Sequence, residues 1–544
     1  MIKIIEGNLV DIFEERIFPA IVKIKEDKIY EIKRSDKEYK RYLLPSLIDA
    51  HIHIESSMLT PTKFSDVVSV HGTTSVISDP HEIANVLGIE GIKYMIKEAE
   101  ISNIKIFYTA PSCVPATKFE TSGAILGIKE IEELMKLDRI VGLGEVMNFP
   151  GVINKDEEII RKIEIAKKYN KPIDGHCPGL RGKKLKKYVS TGISTDHECT
   201  SLEEAEEKLK LGMKIMIREG SSAKNMKDLI DIAKENDNCF LVSDDKHVED
   251  LVKGHVNELL RKAVEFGLEP IKAIKMVSLN PAKHYNLNVG LLRIGDPADI
   301  VVVNDLKNFN VIENWINGKL IVKNGKLLRK CNKKIKIKNS FKLKRIEPKR
   351  FEIKSNKKKN IKVRVIKIIE DQITTKSEIA ILKSPSPDIK RDILKIAVVE
   401  RYGHNRIGIG FVKGFCLKAG AIASSIAHDS HNIIVVGTND KDMSYAVNYI
   451  RKIRGGIVVV KDKKIIGKIE LPVAGLMSNK GSEYLIKKIK NVHEKIRKLG
   501  CNLKSPLMHL SFLALLVIPE LKISDFGLFD VKKFKTIDLI LNSQ

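Results

Sequence analysis

Eight short apolar runs recur between residues 47 and 245, nearly all ending in a polar side chain, and they restrict this chain to few architectures. They read LIDAHIH, TTSVISD, IKIFYTA, IVGLGEV, PIDGH, GISTDHE, KIMIREGS and CFLVSDD. Amphipathic segments such as EGIKYMIKEAE, EEIIRKIEIAKKYN and LEEAEEKLKLG lie between most of them. Apolar runs alternating with helical periods predict parallel strands joined by helices. Eight such units in about 240 residues match a TIM-like (β/α)8 barrel in number and size. A doubly wound open sheet is the alternative. Polar residues at the run ends favour the barrel, whose site lies at the C-terminal ends of its strands.

The flanks change character. Residues 1–44 and 288–345 carry short strands and turns, predicting one small β domain built from both sides of the barrel, which spans 45–287. A Lys-rich linker at 346–359 leads to a C-terminal α/β domain at 360–544. The chain has 544 residues, 43% hydrophobic and 30% charged, which excludes a disordered or collagen-like polymer. Its longest apolar stretch, near Leu510 to Ile518, is too short to cross a bilayer, so no membrane partner is expected. Seven cysteines without a CxxC pair and no signal segment predict a reduced, cytoplasmic protein.

The net charge of +26 is concentrated. Between Lys323 and Arg364, 19 Lys and Arg face two Glu. KKIKIK (Lys333 to Lys338) alternates as a half-buried strand would, and KSNKKKN (Lys354 to Asn360) reads as solvated linker. Binding of RNA or an acidic partner is the competing reading, but no RRM, KH, zinc-finger or helix-turn-helix signature accompanies the charge, so no nucleic-acid partner is expected.

His51 and His53 lie two apart on a predicted strand, which puts both imidazoles on one face, where they can share a metal ion. Glu145, His176, His197 and Asp244 end later runs. Four imidazoles and two carboxylates are too many for one tetrahedral ion and suit two divalent ions bridged by a carboxylate and a hydroxide. Mn²⁺ is the expected ion, with Fe²⁺ beside it, and a His and carboxylate set without thiolate also admits Zn²⁺. Glu55, Asp79, His81, Glu219 and Ser221 stand near strand ends as substrate contacts, or as caps of the following helices. Downstream, His428, Asp429 and His431 form AHDSH after a small-residue run. They read as a second metal site, or as a lid close to the substrate.

LPSLIDAHIHIESSMLTP, the strand-terminal His, His and Asp, and GDPADIVV resemble the amidohydrolase superfamily. More narrowly, SDPHEIANVLG, GLGEVMNFPGV, DGHCPGL, TDHE, LVSDDKH and the C-terminal GHNRIGIGFVKGFCLKAGAIASSIAHDSHNIIVVGTN resemble its adenine deaminase family. The resemblance implies a hydrolase that deaminates free adenine to hypoxanthine and ammonia in purine salvage, through a metal-bound hydroxide at a binuclear centre. It assigns His51 and His53 to the first-strand ligand pair, Glu145 to the bridging position, and His176 and His197 to the second ion. Asp244, chosen over its neighbour Asp245, would bind metal and carry protons. Another superfamily reaction, on cyclic amides or N-acyl compounds, is the alternative, and an Arg or Lys aimed at a substrate carboxylate would favour it. Arg218 is the one strand-end candidate for that role. The expected partner is a small-molecule nucleobase, and a homodimer is expected.

Overall fold

The computed structural model describes residues 2–541 apart from 332, 334, 356–359 and 371. It divides into two compact units. The first comprises residues 1–80, 92–113 and 126–335, and the second 81–91, 114–125 and 336–544.

In the first unit the apolar runs become parallel strands. Leu47–Ile52, Thr73–Ser78, Lys105–Ala110, Ile140–Val146 and Ile173–Gly175 form one five-stranded sheet. Thr195–Asp196, Lys214–Arg218 and Cys239–Val242 form a three-stranded one. Contacts that join them include Ser194 N donating to Ile173 O (2.9 Å) and Gly175 N to Thr195 Oγ1 (3.2 Å). At the other edge Asp244 N donates to His51 O (2.9 Å), and a parallel bridge pairs Ile52 with Asp244. The sheet therefore closes into a barrel, and the open doubly wound alternative fails.

The first two strands are buried along their whole length because helices cover one face and barrel filling the other, which is why they read as continuous apolar runs. Ile215, Ile217, Leu229, Ile230, Leu259 and Leu260 belong to the core cluster packed between strands and helices.

Both flanks of the barrel enter one eight-stranded sheet. Its centre is Tyr42–Leu44, parallel to Ile2–Asp11 on one side and antiparallel to Ile300–Val303 on the other. Ile5, Leu9, Val22, Ile24, Ile300 and Val302 fill its core. The expected strand at KKIKIK does not form. Its described residues alternate between half-buried and exposed but join no ladder, since alternation of side chains does not by itself provide a hydrogen-bonding neighbour. Residues 356–359 of KSNKKKN lie outside the described residues.

The second unit is β-rich. An eight-stranded, mostly antiparallel sheet runs from the edge strand Thr375–Leu382 to Lys464–Glu470, with the helix Asp440–Ile453 packed on it. The unit begins at Lys336, ahead of the expected 360, because Leu343, Ile346 and Phe351 are buried in its core. It also takes in two segments from the range read as barrel. Thr121 N and Oγ1 donate to Asp525 (3.0 and 2.5 Å), Asn432 Nδ2 to Thr121 O (2.8 Å), and Ser524 Oγ to Phe119 O (2.7 Å).

Glu120 sits in this network, accepting from Ser430 Oγ (2.8 Å) and Thr117 Oγ1 (3.0 Å). Burial, with the neighbouring Asp429, pushes its carboxyl up from 4.5 to about 8. The folded chain thus holds a proton that the unfolded chain releases above about 4.5. The stability contributed is complete below that pH and is lost as pH rises through about 8. Glu120→Gln, neutral throughout, is expected to flatten the fall in melting temperature across this window. A slope as steep as the wild type's would refute the assignment.

Candidate metal centre

The C-terminal ends of five barrel strands bring six donors together. His51 lies in the first strand and His53 just past it, Glu145 in the fourth, and His176 and His197 follow the fifth and sixth. Asp244 follows the eighth and takes a left-handed backbone (φ 57°). Asp49 braces the two strands that carry half of the set. Its carboxylate accepts from the backbone N of His51 (3.3 Å) and Ser243 (3.2 Å) and from Ser243 Oγ, with His255 Nε2 at 2.9 Å.

Glu145 divides the donors into two sets. Its Oε1 lies 3.0 Å from His53 Nε2 and 3.6 Å from His51 Nε2. Its Oε2 lies 2.9 Å from His176 Nδ1 and 3.4 Å from His197 Nε2. One oxygen thus serves each histidine pair. Asp244 Oδ1 joins the first set, 3.4 Å from His51 Nε2 and 3.2 Å from His53 Nε2. His53 Nδ1 faces Asp79 O at 3.0 Å; a carbonyl oxygen only accepts, so that ring nitrogen carries a proton and Nε2 is the one turned toward the cluster.

His51 Nε2 is buried without a hydrogen-bond partner, an arrangement that costs free energy unless a cation takes the lone pair. Three overlapping groups hold their ligand atoms within 4.8 Å of one another: His51, His53 and Glu145; Glu145, His176 and His197; His51, His197 and Asp244. A nitrogen and carboxylate donor set of this density fits divalent metal.

The electrostatics agree. Burial alone would lower His53 and raise Glu145, but their mutual attraction prevails, aided for His53 by Asp244 and for Glu145 by His197. His53 therefore lies well above the usual histidine value and Glu145 well below the carboxylate one.

Two further residues complete the site. Arg218 Nη1 and Nη2 grip Glu198 (2.5 and 3.0 Å), and Nη1 also reaches Asp244 Oδ2 at 2.7 Å. Glu198 Oε1 lies 3.4 Å from His197 Nε2. Burial opposes the charge of Glu198, but His176, His197 and Arg218 lower its carboxyl to about 2. Sequence reading passed over Glu198, although it directly follows His197, one of the six candidate donors. Arg218 was visible, but its fork is engaged within the chain.

The expected substrate contacts fall into three groups. Glu55 and Asp79 are buried at the ends of the first two strands. Asp79 lies so close to the fourth strand that a Cβ on Gly144 would sit 2.0 Å from its Oδ2, so only glycine is tolerated there. Glu219 and Ser221 are spent locally: Lys262 Nζ donates to Glu219 (2.9 Å), and Ser221 Oγ donates to Asp250 (2.7 Å) while accepting from His247 N (2.9 Å). His81, His428, Asp429 and His431 belong to the second unit. There His81 Nε2 lies 3.9 Å from Asp429 Oδ1, and His431 Nε2 lies 3.7 Å from Glu82 Oε2.

Comparison with known proteins follows the same division. Residues 42–321 match the amidohydrolase family, and residues 368–535 match the adenine deaminase C-terminal domain. An adenine deaminase of Methanosphaera stadtmanae is 47% identical, with 99% of each chain covered. The chain belongs to the adenine deaminase family. Adenine deaminases of Methanosarcina mazei (44% identical, 98% of each chain) and Borreliella burgdorferi (46%, covering 98% of this chain and 99% of that one) are similar over the same length. An adenine deaminase likeness over nearly the full chain extends across both units, so the second is a family element and not a lineage-specific appendage. Among the described residues no helix is long and apolar enough to cross a membrane.

Proposed function

We propose that this chain deaminates free adenine to hypoxanthine and ammonia, with His51, His53, Glu145, His176, His197 and Asp244 holding two divalent ions. The observation that carries the reading is Glu145, whose two oxygens each address a separate histidine pair. Mn²⁺ fits a histidine and carboxylate set without thiolate, and Fe²⁺ or Zn²⁺ would compete for the same donors. Bound ions would supply Lewis acidity and bring a water's pKa from 15.7 toward about 7.

The chain's own groups move the protons. Arg218 binds Asp244 Oδ2, which fixes the carboxylate and leaves Oδ1 facing the histidines. Water adds across the C6–N1 bond of adenine: Asp244 takes one of its protons and passes it to N1, and the proton left on the new hydroxyl then goes by the same carboxylate to the departing amine. The oxygen stays on C6 as the carbonyl of hypoxanthine, and ammonia leaves. Glu198, gripping the same guanidinium, keeps Arg218 from swinging away. Glu55 and Asp79, buried at the ends of the first two strands, are proposed to read the polar edge of the base, since a carboxylate accepts from the N–H groups that edge presents.

The reaction on N-acyl or other carboxylate-bearing substrates is less well supported because Arg218, its candidate anchor, is already paired with Glu198 and Asp244. Protein reconstituted with Mn²⁺ is expected to release ammonia from adenine and form hypoxanthine, followed by the change in ultraviolet absorbance. Turnover of cyclic amides or N-acyl amino acids with none of adenine would discard the substrate and keep the hydrolase.

A further inference from the structure

The helix Asp440–Ile453 of the second unit is apolar on one side and cationic on the other. Met443, Ala446, Val447 and Ile450 are buried in the unit's core. Lys441, Tyr445, Tyr449 and Lys452, spaced by three or four residues, share another ridge of that helix and line a cleft of about 850 Å³. The facing wall is the stretch from Asn339 to Pro348, part of the Lys-rich segment. Asn448 clamps it: its Oδ1 accepts from Ile346 N (3.0 Å) and its Nδ2 donates to Ile346 O (2.7 Å).

Six cationic side chains line the cleft, Arg345, Lys441, Arg451, Lys452, Arg454 and Lys463, against one carboxylate, Glu347. Glu347 lies 3.4 Å from Arg345. Among the described residues the other five form no ion pair, and Arg451 Nε is buried without a hydrogen-bond partner. Elsewhere the same chain pairs its helix cations at short range, as with Lys208 and Glu204 (2.7 Å) or Lys498 and Glu494 (2.8 Å). A concave surface of one sign focuses the field and concentrates anions.

Three rings stand among these charges, Phe341, Tyr445 and Tyr449. Tyr445 is 40% exposed, and Tyr449 is held by Lys468 Nζ at its hydroxyl (3.1 Å). An exposed ring beside a cationic cleft suits a ligand that is planar at one end and polyanionic at the other. The volume lies within the range of about 300 to 1,000 Å³ usual for small-molecule sites. We propose that this cleft binds a nucleotide, its base stacked on Tyr445 and its phosphates on Lys441, Arg451 and Lys452. Adenine carries no phosphate, so the ligand differs from the substrate and the proposal does not depend on the reaction.

Isothermal titration calorimetry of the full chain with ADP, pyrophosphate and a single-stranded oligonucleotide tests it. ADP is expected to bind one per chain and more tightly than pyrophosphate. Combined Lys441→Glu and Lys452→Glu should weaken ADP about tenfold or more, and Tyr445→Ala should bring ADP down to the affinity of pyrophosphate. Melting temperatures equal to the wild type's show that these variants fold. No heat with ADP at millimolar concentration, or ADP binding untouched by the double variant, would overturn the proposal. So would equal affinities for ADP and pyrophosphate, or binding of the oligonucleotide alone.

Discussion

Asp244→Asn is expected to lower adenine turnover by roughly two to four orders of magnitude, the usual contribution of a positioned acid–base group. Asparagine has nearly the shape of aspartate and can still accept from Arg218 through its oxygen, so the loop after the eighth strand keeps its geometry. It cannot take a proton from the attacking water. The fold does not depend on the charge, because the left-handed backbone at 244 and its N–H bond to His51 O are made by the main chain. The measurement is kcat from ammonia release, read beside melting temperature and bound metal. A variant within tenfold of wild type would remove Asp244 from the proton path. A variant that lost its metal would instead place its main effect on binding.

Glu145→Gln is expected to break the centre in two. The carboxylate gives one oxygen to each histidine pair, and an amide can offer its oxygen to only one of them. The other pair then faces an NH₂ group, which repels a cation. Second-layer changes at metal sites cost about 10–100-fold in affinity, and loss of a direct bridging donor should exceed that. Metal content should fall from two equivalents toward one, with activity falling alongside it. Added Mn²⁺ is expected to raise the wild-type melting temperature by mass action, and the variant should lose most of that gain. Two tightly held equivalents in Glu145→Gln would show that Glu145 does not bridge.

Glu120→Gln reports on a different region. Its effect belongs to the pH dependence of unfolding and not to catalysis, since Glu120 lies among the hydrogen bonds that hold residues 117–121 in the second unit. Separate readouts keep the two kinds of claim apart.

Much of the barrel was legible because burial on both faces leaves a strand no polar position except at its end. The strand-terminal histidines and carboxylates therefore stood out from apolar runs such as LIDAHIH and PIDGH. KKIKIK misled because alternation reports only that side chains point to alternate sides of an extended chain. Pairing also needs a hydrogen-bonding neighbour, and its described residues join no ladder. Glu219 and Ser221 occupied the right sequence positions, but Lys262 and Asp250 come from later helices or loops and claim them. Residues 81–91 and 114–125 looked like barrel connections, and the hydrogen bonds of Thr121 to Asp525 and Asn432, some 300 to 400 positions later, have no local signature.

By itself the sequence determined the strand count, the six candidate ligands and the likeness to adenine deaminases, because periodicity and motif order are local properties of the chain. Only the tertiary structure decided that Glu145 addresses two histidine pairs and that Glu198 and Arg218 brace Asp244. It also showed that the Lys-rich segment forms one wall of a cationic cleft. Each of these depends on ångström-scale distances between side chains carried by different elements, and those distances are set by how the strands close and the helices pack.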